Sequence, residues 1–218
     1  MIKENVKRII SQLPAGVEIV AATKERSVGE IEQAIKAGIK IVGENYVNEA
    51  EEKFELIGGA VNWHFIGHLQ RNKVKRAVEF FDMVETVDSF KIAKELDKAC
   101  QLKNRVMPIL IEVNSAREKQ KFGVFPEYIE SLIKEIYQLK NVKIQGLMTM
   151  GPNLLNPEQL RPLFKEMHQL FKKLKTLNLS NVEMKYLSMG MSDSYQIAIQ
   201  EGANLVRIGT AIFGKRGA

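Results

Sequence analysis

Along the chain, short β-branched apolar runs alternate with longer stretches whose apolar positions recur every three to four residues. "VEIVAAT" (17–23) precedes "SVGEIEQAIKAG" (27–38), where Val28, Ile31, Ala34 and Ile35 share one face. The same alternation follows in "IKIVGEN" then "YVNEAEEKFELI", "WHFIGH" then "RNKVKRAVEFF", and "MVETV" then "SFKIAKELDKACQL". It continues in "VMPILIEVN" then "PEYIESLIKEIYQL", "VKIQGLMTM" then "NPEQLRPLFKEMHQLFKKLKTL", and "MKYLSMGMS" then "SYQIAIQEG", with "NLVRIGTAIFG" last. The runs are continuous rather than strictly alternating, which is the pattern of parallel strands covered on both faces. Asp88-Ser89 reads as a helix start, and Gly38 and Gly202 read as helix ends. Ahead of the first run, Ile2, Val6, Ile9, Ile10 and Leu13 recur at helical spacing.

About eight β-α units in 218 residues, with no Pro/Ser-rich linker between them, predict an α/β fold. The expected architecture is one (β/α)8 TIM-type barrel domain over residues 1–218, with an extra N-terminal helix over 1–13. A doubly wound open sheet is the competing arrangement, but no G-x-G-x-x-G follows the first strand.

In such a barrel the functional face lies at the C-terminal ends of the strands. There the chain places Thr23-Lys24, Glu44-Asn45, His68, Asn114, Met148-Thr149, "SMGMSDS" and Arg207-Ile208-Gly209-Thr210. A lysine at the end of a buried strand most simply marks the exit to solvent. The last two loops change that reading for Lys24. Ser188, Gly190, Ser192, Gly209 and Thr210 are small or hydroxyl-bearing residues where a barrel commonly holds phosphate, and they let backbone N–H groups approach an anion. Arg207 and Gly209 share parity, and closure of the barrel makes the first strand the neighbour of the eighth. A lysine, an arginine and a phosphate turn then converge, and two cations in one pocket require a partner. A phosphorylated aldehyde supplies it: the phosphate takes the loop donors, Lys24 forms an imine, and Arg207 meets a ring nitrogen. That is the chemistry of pyridoxal 5'-phosphate (PLP).

Composition narrows the alternatives. A single Cys100 excludes an intrachain disulfide and a thiolate metal site, and fits a reducing compartment, so the expected location is cytoplasmic. No apolar run approaches the roughly 20 residues that span a bilayer, and the charged start is not a signal peptide. The net charge of +6 would permit nucleic-acid binding, but Arg71, Lys73, Lys75 and Arg76 lack interleaved aromatics and read as a solvated helix face. No nucleic-acid or membrane partner is expected. His64 and His68 read as lying on one strand about 13 Å apart, too far to share a metal. His64 and His168 read as structural, with His168 exposed, and His68 as either pocket wall or packing.

"AATK", "GENYVNEAEEK", "HFIGHLQRNK", "EVNSAREKQKFG", "GLMTM", "LSMGMSDS" and "VRIGTAIFG" resemble, in order, the signatures of the pyridoxal phosphate homeostasis proteins. These are PLP-binding barrels similar to the N-terminal domain of alanine racemase. The resemblance implies that Lys24 carries PLP as a Schiff base and that Asn45 lies beside it. It implies that Ser188, Ser192, Gly209 and Thr210 bind the phosphate and that Arg207 meets the pyridine nitrogen. Ser194 stands where the family tends to carry a second aspartate, which leaves the phosphate loop untouched. The implied role is buffering PLP and delivering it to PLP-dependent apoenzymes, by a monomer or weak dimer. Slow amino-acid racemisation is the alternative. The chain stops at Lys215-Arg216-Gly217-Ala218, without the β-domain that supplies a racemase with its second base, so the carrier role is the one expected.

Overall fold

The computed structural model describes residues 1–152, 154 and 156–215. The limit at 218 and the final residues 216–218, used above in weighing a second domain, lie outside them. Helix α1 (Ile2–Gln12) precedes β1 (Glu18–Ala22). The chain then alternates through α2 (Val28–Lys36), β2 (Ile41–Glu44), α3 (Val47–Ile57), β3 (Asn62–Phe65), α4 (Val74–Phe80) and β4 (Met83–Val87). It continues with α5 (Phe90–Leu102), β5 (Met107–Val113), α6 (Ile129–Ile136), β6 (Val142–Thr149), α7 (Arg161–Leu174) and β7 (Val182–Ser188). The short α8 (Tyr195–Gln200), β8 (Leu205–Ile208) and α9 (Thr210–Phe213) complete it. The strands are all parallel and close in sequence order, β1 pairing with both β2 and β8. This is the (β/α)8 barrel with a leading helix that the pattern predicts.

The helix start expected at Asp88-Ser89 is present, and Ser27 supplies another. Ser27 caps α2 in a capping box with Glu30, and the Ser89 hydroxyl accepts from the Ile92 N–H at the start of α5. Beyond α8, Gly202 turns the chain at φ +97°, and a β-carbon there would sit 2.6 Å from the His168 ring. His168 is therefore half-buried against α8, not exposed as expected.

Two apolar layers hold the barrel. Between strands and helices lies the large outer core, with Trp63, Phe65, Phe81 and Phe164 fully enclosed. Inside the barrel Val20, Ile41, Ile66, Met83, Leu110, Met148 and Leu205 pack together as a second, smaller cluster. Gly43 makes this filling fit, because a β-carbon there would lie 2.6 Å from Val20 Cγ1 and 2.8 Å from Ile66 Cδ1. Cys100 is buried on α5, and burial pushes its thiol up to about 11, where it is inert as a nucleophile. Among the described residues no helix is long and apolar enough to cross a membrane.

Trp63 packs edge-on against Phe54 with ring centroids 5.7 Å apart, and its indole N–H donates to the Gly58 carbonyl at 3.0 Å. Trp63→Ala is expected to cost about 3–5 kcal/mol in urea unfolding. Trp63→Phe, which keeps most of the packing, should cost about 1–2 kcal/mol. A cost below about 1 kcal/mol for the alanine variant would contradict the packing.

Candidate functional site

Lys24 follows the last residue pair of β1 in a tight turn. The Thr23 N–H donates to the Gly43 carbonyl at 2.9 Å, and the Arg26 N–H returns to the Thr23 carbonyl at 3.0 Å. Glu25, inside the turn, has φ +60°, a left-handed conformation that residues with a β-carbon adopt only at a cost. The Lys24 ammonium makes a long hydrogen bond of 3.4 Å to Tyr46 Oη, lies 4.9 Å from that ring's centre, and is 3.6 Å from Glu25. Its side chain keeps 23% of its exposure, so it is shielded yet reachable. Asn45, half-buried, lines a cavity of about 620 Å³ with Tyr46, His68, Lys73 and Phe122.

The upper half of the barrel interior is polar. Glu85 shares parity with inward Met83, Glu112 with Leu110, Arg207 with Leu205, and Ser188 with Tyr186. These groups are chained together. His64 Nδ1 lies 2.7 Å from Glu85 Oε1, the Ser188 hydroxyl donates to Glu85 Oε2 at 2.6 Å, and Arg207 Nη1 donates to the Ser188 oxygen at 2.6 Å. Arg207 Nη2 donates to the Thr149 carbonyl at 2.7 Å. Burial alone would push the Glu85 carboxyl up, but the bond to His64 and the charges of His64 and Arg207 outweigh it and hold the group below its usual range. For Arg207 burial dominates and lowers its affinity for a proton, opposed by Glu85 and Glu112. Glu112 is different: burial, with Asp88 adding repulsion, pushes it up to about 7, against a weaker pull from Arg207. Its Oε2 is buried without a hydrogen-bond partner.

At the mouth above β7 and β8, two backbone N–H groups converge on one oxygen. Gly209 donates to Ser192 Oγ at 3.2 Å and Ala211 at 3.1 Å. Thr210, between them, is exposed, while Ser192 and Gly209 are half-buried. A β-carbon on Gly209 would lie 3.5 Å from Ala22 Cβ, so this turn adjoins the strand that carries Lys24. The structure thus joins Ser192 with Gly209, and Ser188 with Arg207 one layer deeper. Lys24 stands beside Tyr46.

Some sequence readings change. Strand β3 ends at Phe65, so His68 lies beyond it in a loop rather than on the same strand as His64. There it stacks on Phe122 with ring centres 3.7 Å apart and an interplanar angle of 13°. The basic cluster is partnered by its neighbours: Arg71 pairs with Glu95, Arg76 with Glu51, and Lys73 donates to Asn48. The sequence reading missed Glu85, Glu112 and His64 as one layer. Strand parity within "MVETV" and "ILIEVN" could have found both carboxylates.

A closed parallel barrel with a polar upper layer, a mouth lysine and a glycine-hydroxyl turn after its last strand defines a class, and comparison with known proteins agrees. The family described as alanine racemase, N-terminal domain, matches residues 1–217. A pyridoxal phosphate homeostasis protein of Aquifex aeolicus is 40% identical over 200 residues, covering 91% of this chain and 87% of its own. One of Synechocystis is 37% identical over 210 residues, covering 95% of each chain. The structure of PipY from Synechococcus elongatus with PLP bound superimposes with a TM-score of 0.90 at 31% identity, over 98% of this chain and all of that one. An alanine racemase of Clostridium difficile shares the fold, with a TM-score of 0.82 at 14% identity, and this chain covers 60% of its length. The chain belongs to the alanine racemase N-terminal domain family. Within it, the chain belongs to the pyridoxal phosphate homeostasis proteins.

Glu112 yields a pH prediction. Its carboxyl titrates near 7 when folded and near 4.5 when unfolded, so the native state holds the extra proton between these values. The stability this gives is complete below about pH 4.5 and is lost as pH rises through about 7. Glu112→Gln removes that slope. Relative to wild type, the variant should gain up to about 3 kcal/mol between about pH 5 and about pH 8, read by urea unfolding at each pH. A pH-independent difference would contradict the buried, unpaired assignment.

Proposed function

We propose that this protein binds PLP at the barrel mouth, bears it on Lys24, and serves PLP homeostasis by holding the cofactor and delivering it to apoenzymes. The observation that supports the reading is that the turn after β1, which carries Lys24, and the Gly209–Ala211 turn after β8, whose N–H groups converge, follow neighbouring strands. When bound, PLP supplies an aldehyde that condenses with a deprotonated lysine amine and releases one water, together with a dianionic phosphate. The residues suit both ends. Half-buried Gly209 and Ser192 and exposed Thr210 offer N–H and hydroxyl groups at the rim, where an anion gains from fixed donors. Ser188 is enclosed, donating to Glu85 and accepting from Arg207, so it would hold Arg207 in place from beneath and leave the phosphate contacts to Ser192, Gly209 and Thr210. Arg207 would face the ring nitrogen, and Asn45 would line the cofactor's flank.

Delivery is supported by the rim. Tyr46, Phe122, Met150 and Met191 are large apolar side chains exposed around the mouth, and they suit contact with an apoenzyme by a monomer or weak dimer. A single buried thiol and the absence, among the described residues, of a membrane-length apolar helix fit a cytoplasmic setting.

Four measurements test the reading. Borohydride treatment of PLP-loaded protein should fix the cofactor on the peptide containing Lys24. A reduced adduct on another lysine would refute the assignment. Thr210→Ala should weaken PLP by roughly ten- to a hundredfold, the loss of one donor to a charged group. Pyridoxal, lacking the phosphate, should be affected little, and equal weakening of both would show that the turn does not read phosphate. Loaded protein should reactivate a PLP-dependent apoenzyme faster than free PLP does. Racemase turnover on the order of 1 per second or faster, dependent on Lys24, would overturn the carrier role.

A further inference from the structure

One sequence motif, "GENYVNEAEEK", is only partly absorbed by the cofactor site through Asn45. Three of its other polar residues, Glu44, Glu49 and Lys53, gather at the residues that flank Lys24. The carbonyl preceding Lys24, that of Thr23, accepts from Lys53 Nζ at 2.7 Å. The amide following it, that of Glu25, donates to Glu49 Oε1 at 2.5 Å. Glu49 and Lys53 lie one turn apart on α3 and pair at 2.7 Å. The third contact of Lys53 is Glu44 Oε1 at 2.6 Å, and that oxygen also accepts from Thr23 Oγ1 at 2.6 Å.

All three protons of the Lys53 ammonium are therefore committed, in a side chain of which 9% remains exposed. Truncating it would leave the buried Glu44 carboxylate and the Thr23 carbonyl without their cationic partner, so the three groups act as a unit. The turn they grip is also the one strained by Glu25 at φ +60°, and strained backbone persists only where its surroundings over-determine it. Tyr46, which meets the Lys24 amine, precedes α3 directly. The lysine's backbone and its side-chain partner are thus referred to the same helix.

We propose that Glu49 and Lys53 form a clamp that positions Lys24 for its bond to the cofactor. The proposal rests on Lys24 being the residue that bears PLP. The clamp touches neither ring nor phosphate, so both are positioning residues. It fixes the Lys24 Cα, and with it the arc its long side chain can sweep. A merely structural role for the clamp would support the β1–β2 edge and affect every ligand alike. Positioning affects only a ligand that bonds to the lysine.

The two roles separate by equilibrium dialysis with PLP and with its 4'-alcohol analogue, pyridoxine 5'-phosphate, which has the ring and phosphate but no aldehyde. Lys53→Met should weaken PLP by about tenfold or more, as expected for a misplaced reacting group. The alcohol should stay within about twofold. Glu49→Gln, at the partly exposed rim of the clamp, should act in the same sense and more weakly, and it carries the test if Lys53→Met does not fold. Equal losses for both ligands, or no loss for either, would overturn the clamp. A wild type with no preference for the aldehyde would instead refute Lys24 as the bearing residue. Amide hydrogen exchange across residues 24–26 then judges the clamp alone: faster exchange in the variants supports it, and unchanged exchange overturns it.

Discussion

A guanidinium enclosed in a barrel must be paired, and the pairing of Arg207 organises the upper half of this molecule. Its two terminal nitrogens reach the Ser188 hydroxyl and the Thr149 carbonyl, Ser188 passes the contact to Glu85, and Glu85 ends on His64. Four strands, β3, β4, β7 and β8, contribute side chains to that chain, and β6 contributes a carbonyl. Uncompensated, such a charge would cost several kcal/mol to bury. Compensated, it converts a barrel centre that could have been filled with Leu and Ile into a fixed polar floor beneath the mouth. The apolar inner cluster carries the packing, and the polar chain carries the cofactor chemistry we propose.

Lys24 sits at the rim of this floor under different constraints. It is shielded by the Tyr46 ring and flanked by Glu25, while its backbone is tied to α3. Rigid support for a mobile side chain suits the reversible covalent bond we propose for this lysine, whose amine would have to find the aldehyde repeatedly without the loop drifting. The turn after β8 is built more lightly, from two amides and a serine oxygen. That lighter build suits the phosphate we propose for it, which would have to both bind and leave.

Much of this was legible in the sequence because periodicity and strand order are local. The alternation of "VEIVAAT" with "SVGEIEQAIKAG", repeated along the chain, states the barrel, and strand ends state its mouth. Closure alone puts the ends of the first and eighth strands side by side, and with them Lys24 and the Gly209-Thr210 turn. What escaped depends on long-range pairing. Glu85 meets Ser188 across 103 residues, and nothing in "MVETV" names that partner. Nothing in "GENYVNEAEEK" says that Glu49 and Lys53 hold the turn around Lys24, because those contacts reach back more than 20 residues. His68 was misjudged because "WHFIGH" looks continuous, whereas pairing with β4 ends near Phe65 and frees the loop that carries it to Phe122.

The central claim is that the mouth of this barrel holds PLP through Lys24, and an absorbance spectrum tests it most directly. Purified protein incubated with PLP and freed of excess cofactor should be yellow, absorbing near the visible edge, and Lys24→Ala treated identically should lack that band. A colourless wild-type protein, or a band that survives in Lys24→Ala, would contradict the account.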